Sequence, residues 1–559
     1  IRIKLNMSST NTDLTSLESI QVAVSALQST GTVQQQQIQQ QSSSAPPLPT
    51  ARRNQFGIFN RMGNAISETL GASEEELVDE EVLTSASTGS TGTAATVPSM
   101  SVNTSPEFSE LSLGERQDFY VRVNVKYEEG MEINDKKVPL DVVCILDNSG
   151  SMGGGKLDSL KTAMKFVIDT LGPNDRLSVV NFNSNPTTLH NLIKMNEANK
   201  RAAQSQLNGL YATGGTNILA GMQHGWAVLE NRKTRNPASC VFLLTDGQDR
   251  GHLSEKLALA RAMKSAGSSL FVFGFGTDHD SEHMEAIANA AEGNFTYIES
   301  DDMVTDAFGG TIGIQQGVSL SNITLSMQAC EKDVKITQVY AGKYTTVLPA
   351  DGRSSAVNFV NMYMGESRDV LLKVKVPAVS EAVEDYELLS AAATFQVQGQ
   401  SDSTVHYAST SSTCAIQRLP SDRVNPALVR DLEVDVQLNR IDCTNTVNEA
   451  MRQADASNFG TARDVLTATK QRVENSESYK AKHPVVVGMM QEIDDALMRV
   501  RSRREYDHGG RAMMTECLSA NTYQRSMYTK GGRVAKYQTC SSLGMQEVAM
   551  KSKGIYKKK

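Results

Sequence analysis

The amino-acid sequence predicts an α/β protein with a doubly wound, mostly parallel sheet, followed by a small β-sandwich and a helical hairpin. Three observations predict this fold. The apolar runs at 138–146 and 240–244 have the length and composition of buried parallel strands. Amphipathic helical segments alternate with strands between 137 and 312, as in successive βα units. Short strands bounded by turns follow, and the last part has helical periodicity.

The bulk composition excludes several classes of protein. At 559 residues the chain is long enough for several domains, and its net charge of −8 gives no electrostatic basis for binding nucleic acid. The seven cysteines are far apart and form no CxxC pair, so a zinc finger, a RING or a dense disulfide framework is not expected. This favours an intracellular, cytoplasmic protein. No apolar run approaches the length of a transmembrane segment.

Residues 1–103 are predicted to be a disordered, low-complexity region. The segment 33–41 is almost all glutamine, and 42–49 is rich in serine and proline, so neither can bury enough apolar surface to offset chain entropy. At 56–70, apolar residues recur at nearly helical spacing among arginines. A transient helix in a linker is favoured there over a helix that docks on a membrane surface or a partner.

The next elements are assigned from periodicity. Residues 104–136 are expected to supply lead-in strands that pack with the β-sandwich, because 119–125 alternates apolar and polar residues. The α/β domain is assigned to 137–312. The apolar face of its first helix comprises Leu157, Leu160, Met164, Val167 and Leu171. Further strands are assigned at 176–183, 239–245, 270–276 and 295–299, and further helices at 216–230, 253–266 and 281–291.

Residues 313–420 are assigned to the β-sandwich. The Asp351-Gly352 pair is a strong hairpin signal between two of its strands. Residues 425–505 are assigned to the helical hairpin. The tail 506–559 is rich in glycine, serine and tyrosine and ends in a lysine cluster.

The functional prediction starts from the Asp-Asn-Ser-Gly-Ser sequence at 147–151, which directly follows the first apolar run. Ligands of open α/β sheets bind at the carboxyl ends of the strands, where Asp147, Ser149 and Ser151 are expected to lie. Oxygen ligands suit Mg²⁺, Ca²⁺ or Mn²⁺ better than zinc or copper. On its own this turn could equally cap the next helix. Thr216, in a loop before a helix, and Asp246, at the end of the second apolar strand, strengthen the metal hypothesis.

With these three segments in order, residues 137–312 resemble the von Willebrand factor type A (vWA) domain. The resemblance implies a metal-ion-dependent adhesion site made of Asp147, Ser149, Ser151, Thr216 and Asp246. It implies that the serines bind the metal directly, and that Thr216 and Asp246 exchange direct and water-bridged roles. An open coordination position would then accept an Asp or Glu of a protein partner.

A second resemblance is to plant RING-type ubiquitin ligases of the wavy-growth group. It covers residues 137–420, and more loosely to 545. It rests on motifs at 146–152, Lys156-Leu157, 172–178, 214–217, 246–249, 273–276, 278–280, 340–344 and 351–353, and the helical hairpin also fits. No RING cysteines or histidines precede residue 137 in this sequence, so ligase activity does not carry over. The resemblance implies the recognition part of such a protein.

Other chemistry is not expected from the sequence. Ser149 or Ser151 as a nucleophile would need a nearby base, and the glycines at 153–155 lack the Gly-Lys-Ser/Thr ending of a phosphate-binding loop. His279 and His283 are expected to face solvent, with Asp280 or Ser281 capping their helix. The chain is therefore predicted to be a non-catalytic binding protein. The alternative is a substrate-recognition subunit of a ubiquitin-ligase-type assembly with catalysis on another chain.

Overall fold

The structure, a computed structural model, describes residues 98–128, 138–249, 251–276, 280–291, 293–298, 303–316, 319–397, 404–408 and 410–524. The amphipathic segment at 56–70, most of the region predicted as disordered and the end of the tail lie outside the described residues. The first strands are β1 (Met100–Pro106), β2 (Glu110–Ser112) and β3 (Arg116–Tyr127). Strand β1 begins inside the segment predicted as disordered, because Met100 and Val102 are buried in a sandwich core.

The α/β domain is built on six strands in the order β6-β5-β4-β7-β8-β9. Only the β5–β6 pair in this sheet is antiparallel, so the predicted doubly wound, mostly parallel sheet is confirmed. Every residue of β4 is buried, as expected for a central strand covered on both faces. The strands are β4 (Leu140–Asp147), β5 (Arg176–Phe182), β6 (Pro186–Lys194), β7 (Ala238–Thr245), β8 (Ser269–Phe275) and β9 (Phe295–Ile298).

The helices of this domain cover both faces of the sheet. They are α1 (Gly155–Thr170), α2 (Glu197–Asn208), α3 (Ile218–Glu230), α4 (Leu253–Ser265), α5 (Ser281–Ala290) and α6 (Val304–Gln315). One apolar core packs α1, α2 and α6 on one face, and a second core packs α3, α4 and α5 on the other. The predicted apolar face of α1 is buried in the first core.

Helix α3 lies unusually close to the sheet. A Cβ atom at Gly221 would lie 2.7 Å from the Phe182 ring, and one at Gly225 would lie 2.6 Å from Ile145. Both glycines face the sheet because they are four residues apart. The absence of side chains there lets α3 pack closely against β4 and β5.

Strand β6 was not predicted from the sequence. It starts at Pro186, has no fully buried residue and pairs antiparallel with β5 at the edge of the sheet. Apolar periodicity is weak in a half-exposed edge strand, and proline is tolerated at such an edge.

The β-sandwich consists of two antiparallel-dominated sheets that share one apolar core. One sheet has the order β1-β3-β14-β11, and the other has the order β12-β13-β10-β15-β17-β2 with β16 paired to β15. The later strands are β10 (Ser319–Ala329), β11 (Lys335–Tyr340), β12 (Thr345–Val347), β13 (Ser354–Tyr363), β14 (Ser367–Val376), β15 (Val383–Val397), β16 (His406–Tyr407) and β17 (Ser412–Leu419).

The α/β domain is inserted into this sandwich. Strand β3 pairs along its length with β14, and the whole α/β sheet lies between β3 and β10 in the sequence. Strand β3, which precedes residue 137, is therefore part of one sheet of the sandwich. The predicted residue boundaries of the domains stay predictions.

The helical part follows the sandwich and has its own apolar core. It comprises α7 (Leu432–Asp455), α8 (Phe459–Glu474), α9 (Glu477–Lys480), α10 (Pro484–Arg499), α11 (Arg503–Glu505) and α12 (Arg511–Tyr523). The predicted helical hairpin is confirmed in α7 and α8. Helix α12 lies in the segment that sequence analysis assigned to the tail.

Helix α12 connects the three parts of the fold. At its start, Arg511 Nη2 lies 2.7 Å from Glu282 Oε2 on α5 of the α/β domain. At its end, the Tyr344 hydroxyl of the sandwich donates a hydrogen bond of 2.9 Å to the carbonyl of Tyr523. The helix also packs on α7, so it holds the α/β domain, the sandwich and the helical part together.

Candidate metal centre

The predicted site residues lie at the carboxyl ends of two neighbouring parallel strands. Strand β4 ends at Asp147, and its neighbour β7 ends at Thr245, one residue before Asp246. The Thr245 hydroxyl donates a hydrogen bond of 2.6 Å to Asp147 Oδ2, which joins the two strand ends directly. The same hydroxyl oxygen accepts a bond of 2.9 Å from the Gly247 amide, so it also shapes the loop after Asp246.

Asp147 is fully buried and both of its oxygens accept hydrogen bonds. Its Oδ1 accepts one of 2.9 Å from the Ser149 amide, and its Oδ2 accepts the bond from Thr245. Burial raises the pKa of the Asp147 carboxyl to about 6, the hydrogen bonds from Ser149 and Thr245 oppose this shift, and repulsion from Asp246 adds to it. Two acids held close together in a buried place favour the arrival of a cation.

The two serines bring their hydroxyl groups together. The chain turns sharply after β4 into a 3-10 helix, Gly150–Met152. As a result, the Ser149 and Ser151 hydroxyl oxygens lie 3.0 Å apart. Ser149 is buried and Ser151 is partly buried, so the pair lies at the rim of the sheet edge.

Thr216 lies on an adjacent loop that is held against the serine turn. The amide of Gly150 donates to the Gly214 carbonyl at 3.0 Å, and the Thr213 amide donates to the Asn148 carbonyl at 2.8 Å. On the other side of Thr216, the Asn217 side chain caps α3 by accepting a bond of 3.0 Å from the Ala220 amide. Thr216 itself is partly buried.

Asp246 is the least satisfied group of the site. Its side chain is fully buried, and among the described residues its Oδ1 has no hydrogen-bond partner. Its Oδ2 lies 3.1 Å from the ammonium nitrogen of Lys156, whose side chain is 19% exposed. A buried carboxylate oxygen without a partner costs free energy, so it calls for a ligand or an ion.

A second acid–base pair supports the loop after Asp246. Asp249 Oδ2 accepts a bond of 2.9 Å from the Ile218 amide at the start of α3 and lies 3.0 Å from the ammonium of the fully buried Lys256. Burial raises the pKa of Asp249, but Lys256 and the backbone amides outweigh it, so the pKa lies below its usual value. This pair ties the loop of Asp246 to the helix that follows Thr216.

One side-chain expectation near this pair is wrong. Asp280 does cap α5, accepting a bond of 3.2 Å from the His283 amide, as expected. His283 does not face solvent, however. It is buried, with Nε2 3.4 Å from the Lys256 ammonium, because α5 packs against α4 on this face of the sheet. His279 lies outside the described residues.

The structure thus brings Asp147, Ser149 and Ser151 together, places Asp246 beside them through Thr245, and puts Thr216 on the neighbouring loop. Sequence analysis missed the roles of Lys156, Thr245 and Asp249. Lys156 gave a usable signal, because a cation in the first turn of a helix opposes the helix dipole and needs an acidic partner.

The donor atoms fit an oxygen-preferring divalent cation. The five predicted residues offer carboxylate and hydroxyl oxygens, which Mg²⁺, Ca²⁺ and Mn²⁺ prefer. Among the described residues there is no group of three or more His, Cys, Asp or Glu that could hold a metal ion. No helix in the described part of the chain is long and apolar enough to cross a membrane.

Comparison with known families agrees with this geometry. Residues 141–309 match the family model of the von Willebrand factor type A domain. This segment is a vWA domain. Among solved structures, the von Willebrand factor type A protein from Catenulispora acidiphila has a TM-score of 0.52 at 16% identity, over 74% of this chain and 91% of that one. At that identity the likeness shows the fold alone, and it extends beyond the vWA domain.

Curated relatives confirm the second resemblance found in the sequence. The E3 ubiquitin-protein ligase WAV3 of Arabidopsis thaliana is 30% identical over 263 residues, which cover 47% of this chain and 34% of that protein. The inter-alpha-trypsin inhibitor heavy chain H4 of Homo sapiens is 31% identical over 160 residues, which cover 27% of this chain and 17% of that protein. The chain therefore spans well under half the length of these relatives.

Proposed function

We propose that the vWA domain binds a divalent cation through Asp147, Ser149, Ser151, Thr216 and Asp246, and that this cation captures an Asp or Glu of a protein partner. Mg²⁺ is the preferred ion, with Ca²⁺ or Mn²⁺ as alternatives. In this proposal the chain is a non-catalytic binding module located inside the cell. The general role of vWA domains as interaction modules supports it.

The observation that carries the proposal is Asp246 Oδ1, which has no hydrogen-bond partner in the part of the chain that the structure describes. It belongs to a fully buried carboxylate at the edge where ligands of open α/β sheets bind. Both oxygens of Asp147 already accept hydrogen bonds, so Asp246 supplies the oxygen that most needs a cation. The two serine hydroxyls and Thr216 contribute neutral oxygens on the same edge.

A bound cation would supply one electrophilic coordination position for an external carboxylate oxygen. The residues of the chain orient the site around that position. Thr245 fixes the Asp147 carboxylate, and Asp249 holds the loop of Asp246 against the start of α3. Three of the five proposed ligands are neutral hydroxyls, so the bound cation would keep an electrophilic position that an anionic oxygen can fill.

The first test measures Mg²⁺ binding by calorimetry on the full chain. Asp147→Asn should abolish Mg²⁺ binding, because it removes a negative charge from the site. The fold should survive, because the asparagine keeps an acceptor for the Ser149 amide. Asp158→Asn, an exposed carboxylate in the first turn of α1, is the matched control and should bind like the wild type. Equal Mg²⁺ affinity in Asp147→Asn and the wild type would refute the site.

The second test concerns the partner. Proteins captured from a lysate with and without a chelator are identified, and each candidate Asp or Glu of a captured partner is changed to Asn or Gln. We expect capture to fail in chelator and to fail again for one such substitution. Thr216→Ala should weaken capture while leaving Mg²⁺ largely bound, because Thr216 is neutral. A partner held equally well in chelator would move recognition to the sandwich or the helical part.

A second candidate function is substrate recognition in a ubiquitin-ligase-type assembly whose catalytic domain is on another chain. The observation that favours it is the length of the similarity to WAV3, which at 263 residues exceeds the vWA segment 141–309. Recovery of a stable ubiquitin-ligase subunit by pull-down would support it. A pull-down that contains the acidic partner but no ligase component would contradict it.

A further inference from the structure

Lys156 is a cation built into the candidate metal centre. Its ammonium nitrogen lies 3.1 Å from Asp246 Oδ2, and the lysine is the second residue of α1. The amino end of a helix carries a partial positive charge, so a lysine there is unfavourable unless an acid holds it. Asp246 is such an acid, and the pair places a positive charge beside the predicted metal position.

The lysine changes the charge that the site offers to a metal. Asp147 and Asp246 are both fully buried and bring two negative charges to the edge. The Lys156 ammonium cancels one of these negative charges. The site therefore has a net charge of about −1 before metal binding and about +1 once a divalent ion is bound. Asp246 Oδ1 has no partner among the described residues and remains available to a metal, because the lysine contacts the other oxygen.

We propose that Lys156 couples metal binding to capture of the partner's carboxylate. With Lys156 in place, the loaded edge carries an excess positive charge. A carboxylate from outside neutralises that excess, so the cation and the carboxylate each bind more tightly when the other is present. Without the lysine, Asp147 and Asp246 neutralise the cation alone, and the external carboxylate adds little. This inference rests on the proposed function.

The coupling has a physical basis in the burial of the site. Charges at the rim of a protein interact more strongly than in bulk water, because the local dielectric constant is lower. Asp246 is fully buried and Lys156 is four-fifths buried, so salt screens their interaction only partly. The lysine is not a ligand of the cation, but its positive charge repels the cation.

The experiment compares wild type, Lys156→Met and Lys156→Arg in the full chain. Calorimetry measures the affinity for Mg²⁺ alone, and then in sodium acetate against sodium chloride of equal ionic strength. Lys156→Met should bind Mg²⁺ about tenfold more tightly than wild type and lose most of the tightening that acetate produces. Lys156→Arg, which keeps the charge, should show the acetate-dependent tightening of the wild type. Lys161→Met, on the same helix beside the Asn208 carbonyl, is the control and should change neither value.

A thermal-unfolding series supplies an independent readout. Mg²⁺ should raise the melting temperature of Lys156→Met more than that of wild type, because a tighter ligand stabilises the native state more. If Lys156→Met binds Mg²⁺ with unchanged or weaker affinity while wild type binds it, the inference is overturned and the proposed function stands. If folded wild type binds no Mg²⁺, both are overturned.

Discussion

Two buried acid–base pairs of this molecule differ in how fully their polar atoms are satisfied. In the sandwich, Arg368 Nη2 lies 2.7 Å from Glu366 Oε2, and the rest of the guanidinium donates to the Tyr344 hydroxyl and to backbone carbonyls. At the edge of the vWA sheet, Lys156 contacts one oxygen of Asp246, and the other oxygen has no partner among the described residues.

This difference separates buried ion pairs that stabilise the fold from buried ion pairs that belong to a ligand site. The Arg368 pair joins the sandwich to the carbonyl of Gln524 at the end of α12. Such a network fixes the arrangement of the fold, since a half-satisfied one would cost more than an apolar core. In the Asp246 pair, one carboxylate oxygen has no partner among the described residues. This oxygen lies at the edge of the sheet, where a cation can bind it.

The largest expected effect comes from breaking the satisfied pair. Arg368→Met leaves Glu366 buried without its cation and should lower the free energy of unfolding by about 3–5 kcal/mol. Urea denaturation measures this. Arg472→Met is the matched control, because Arg472 pairs with Asp442 on the surface with 57% of its side chain exposed. If both variants unfold at the same urea concentration, the Arg368 network is not structural.

The second-largest expected effect is a loss of Mg²⁺ affinity at the candidate metal centre. Thr245→Val keeps the shape of the side chain but removes the hydroxyl that orients Asp147 and the Gly247 amide. Groups that orient metal ligands typically contribute about 10–100-fold in metal affinity, so calorimetry should show a Mg²⁺ affinity at least about tenfold weaker. Thr311→Val, which removes a buried hydroxyl bonded within α6, should leave Mg²⁺ affinity unchanged. Loss of affinity in both valine variants would point to general loosening of the domain.

The smallest expected effect concerns Asp249. Like the Arg368–Glu366 pair, Asp249 has a cationic partner and hydrogen bonds, but it lies beside the candidate metal centre. Its pKa in the folded state lies below its usual value, so its ionised form stabilises the fold above about pH 4, and this contribution is lost as the pH falls through the folded-state pKa. Asp249→Asn should therefore be less stable than wild type near neutral pH, and the gap should close in acid. Urea curves across this range measure it. A gap that is constant with pH would mean that Asp249 acts through shape alone.

The sequence was sufficient for those parts of the fold that have a one-dimensional signal. Unbroken apolar runs identified β4 and β7, and polar residues directly after them identified Asp147 and Asp246. Strand β6 escaped because it is a half-exposed edge. Helix α12 escaped because its stability comes from contacts with α5, β9 and the sandwich rather than from a strong apolar face of its own.

The sequence indicated which residues lie together at the candidate site, but it did not indicate the electrostatics of the site. Asp147, Ser149, Ser151, Thr216 and Asp246 stand in recognisable motifs. Lys156 reaches Asp246 from ninety positions away in the sequence, and Lys256 becomes fully buried only when α4 packs beside Asp249. The position of Lys156 in the first helical turn indicates that it needs an acidic partner, but only the tertiary distances identify that partner.

The insertion of the vWA domain into the sandwich has a consequence for folding during synthesis. Arg122 on β3 meets Asp369 on β14 across 247 positions of sequence. At about 5–20 residues per second, β3 waits on the order of ten seconds or more for its partner strand. The vWA domain, with its own cores on both faces of the sheet, is complete well before that.

We therefore expect the vWA domain to fold while the β1–β3 ribbon is still unpaired on one side. In that interval Val121, Val123 and Val125, which are buried in the finished sandwich, have nothing to cover them. An open apolar strand is a site for aggregation or chaperone binding. Protease digestion of a ribosome-arrested chain that ends before β10 should leave the vWA domain intact and cut the ribbon; a protected ribbon would contradict this order. The nascent protein thus assembles from the middle of its sequence outward.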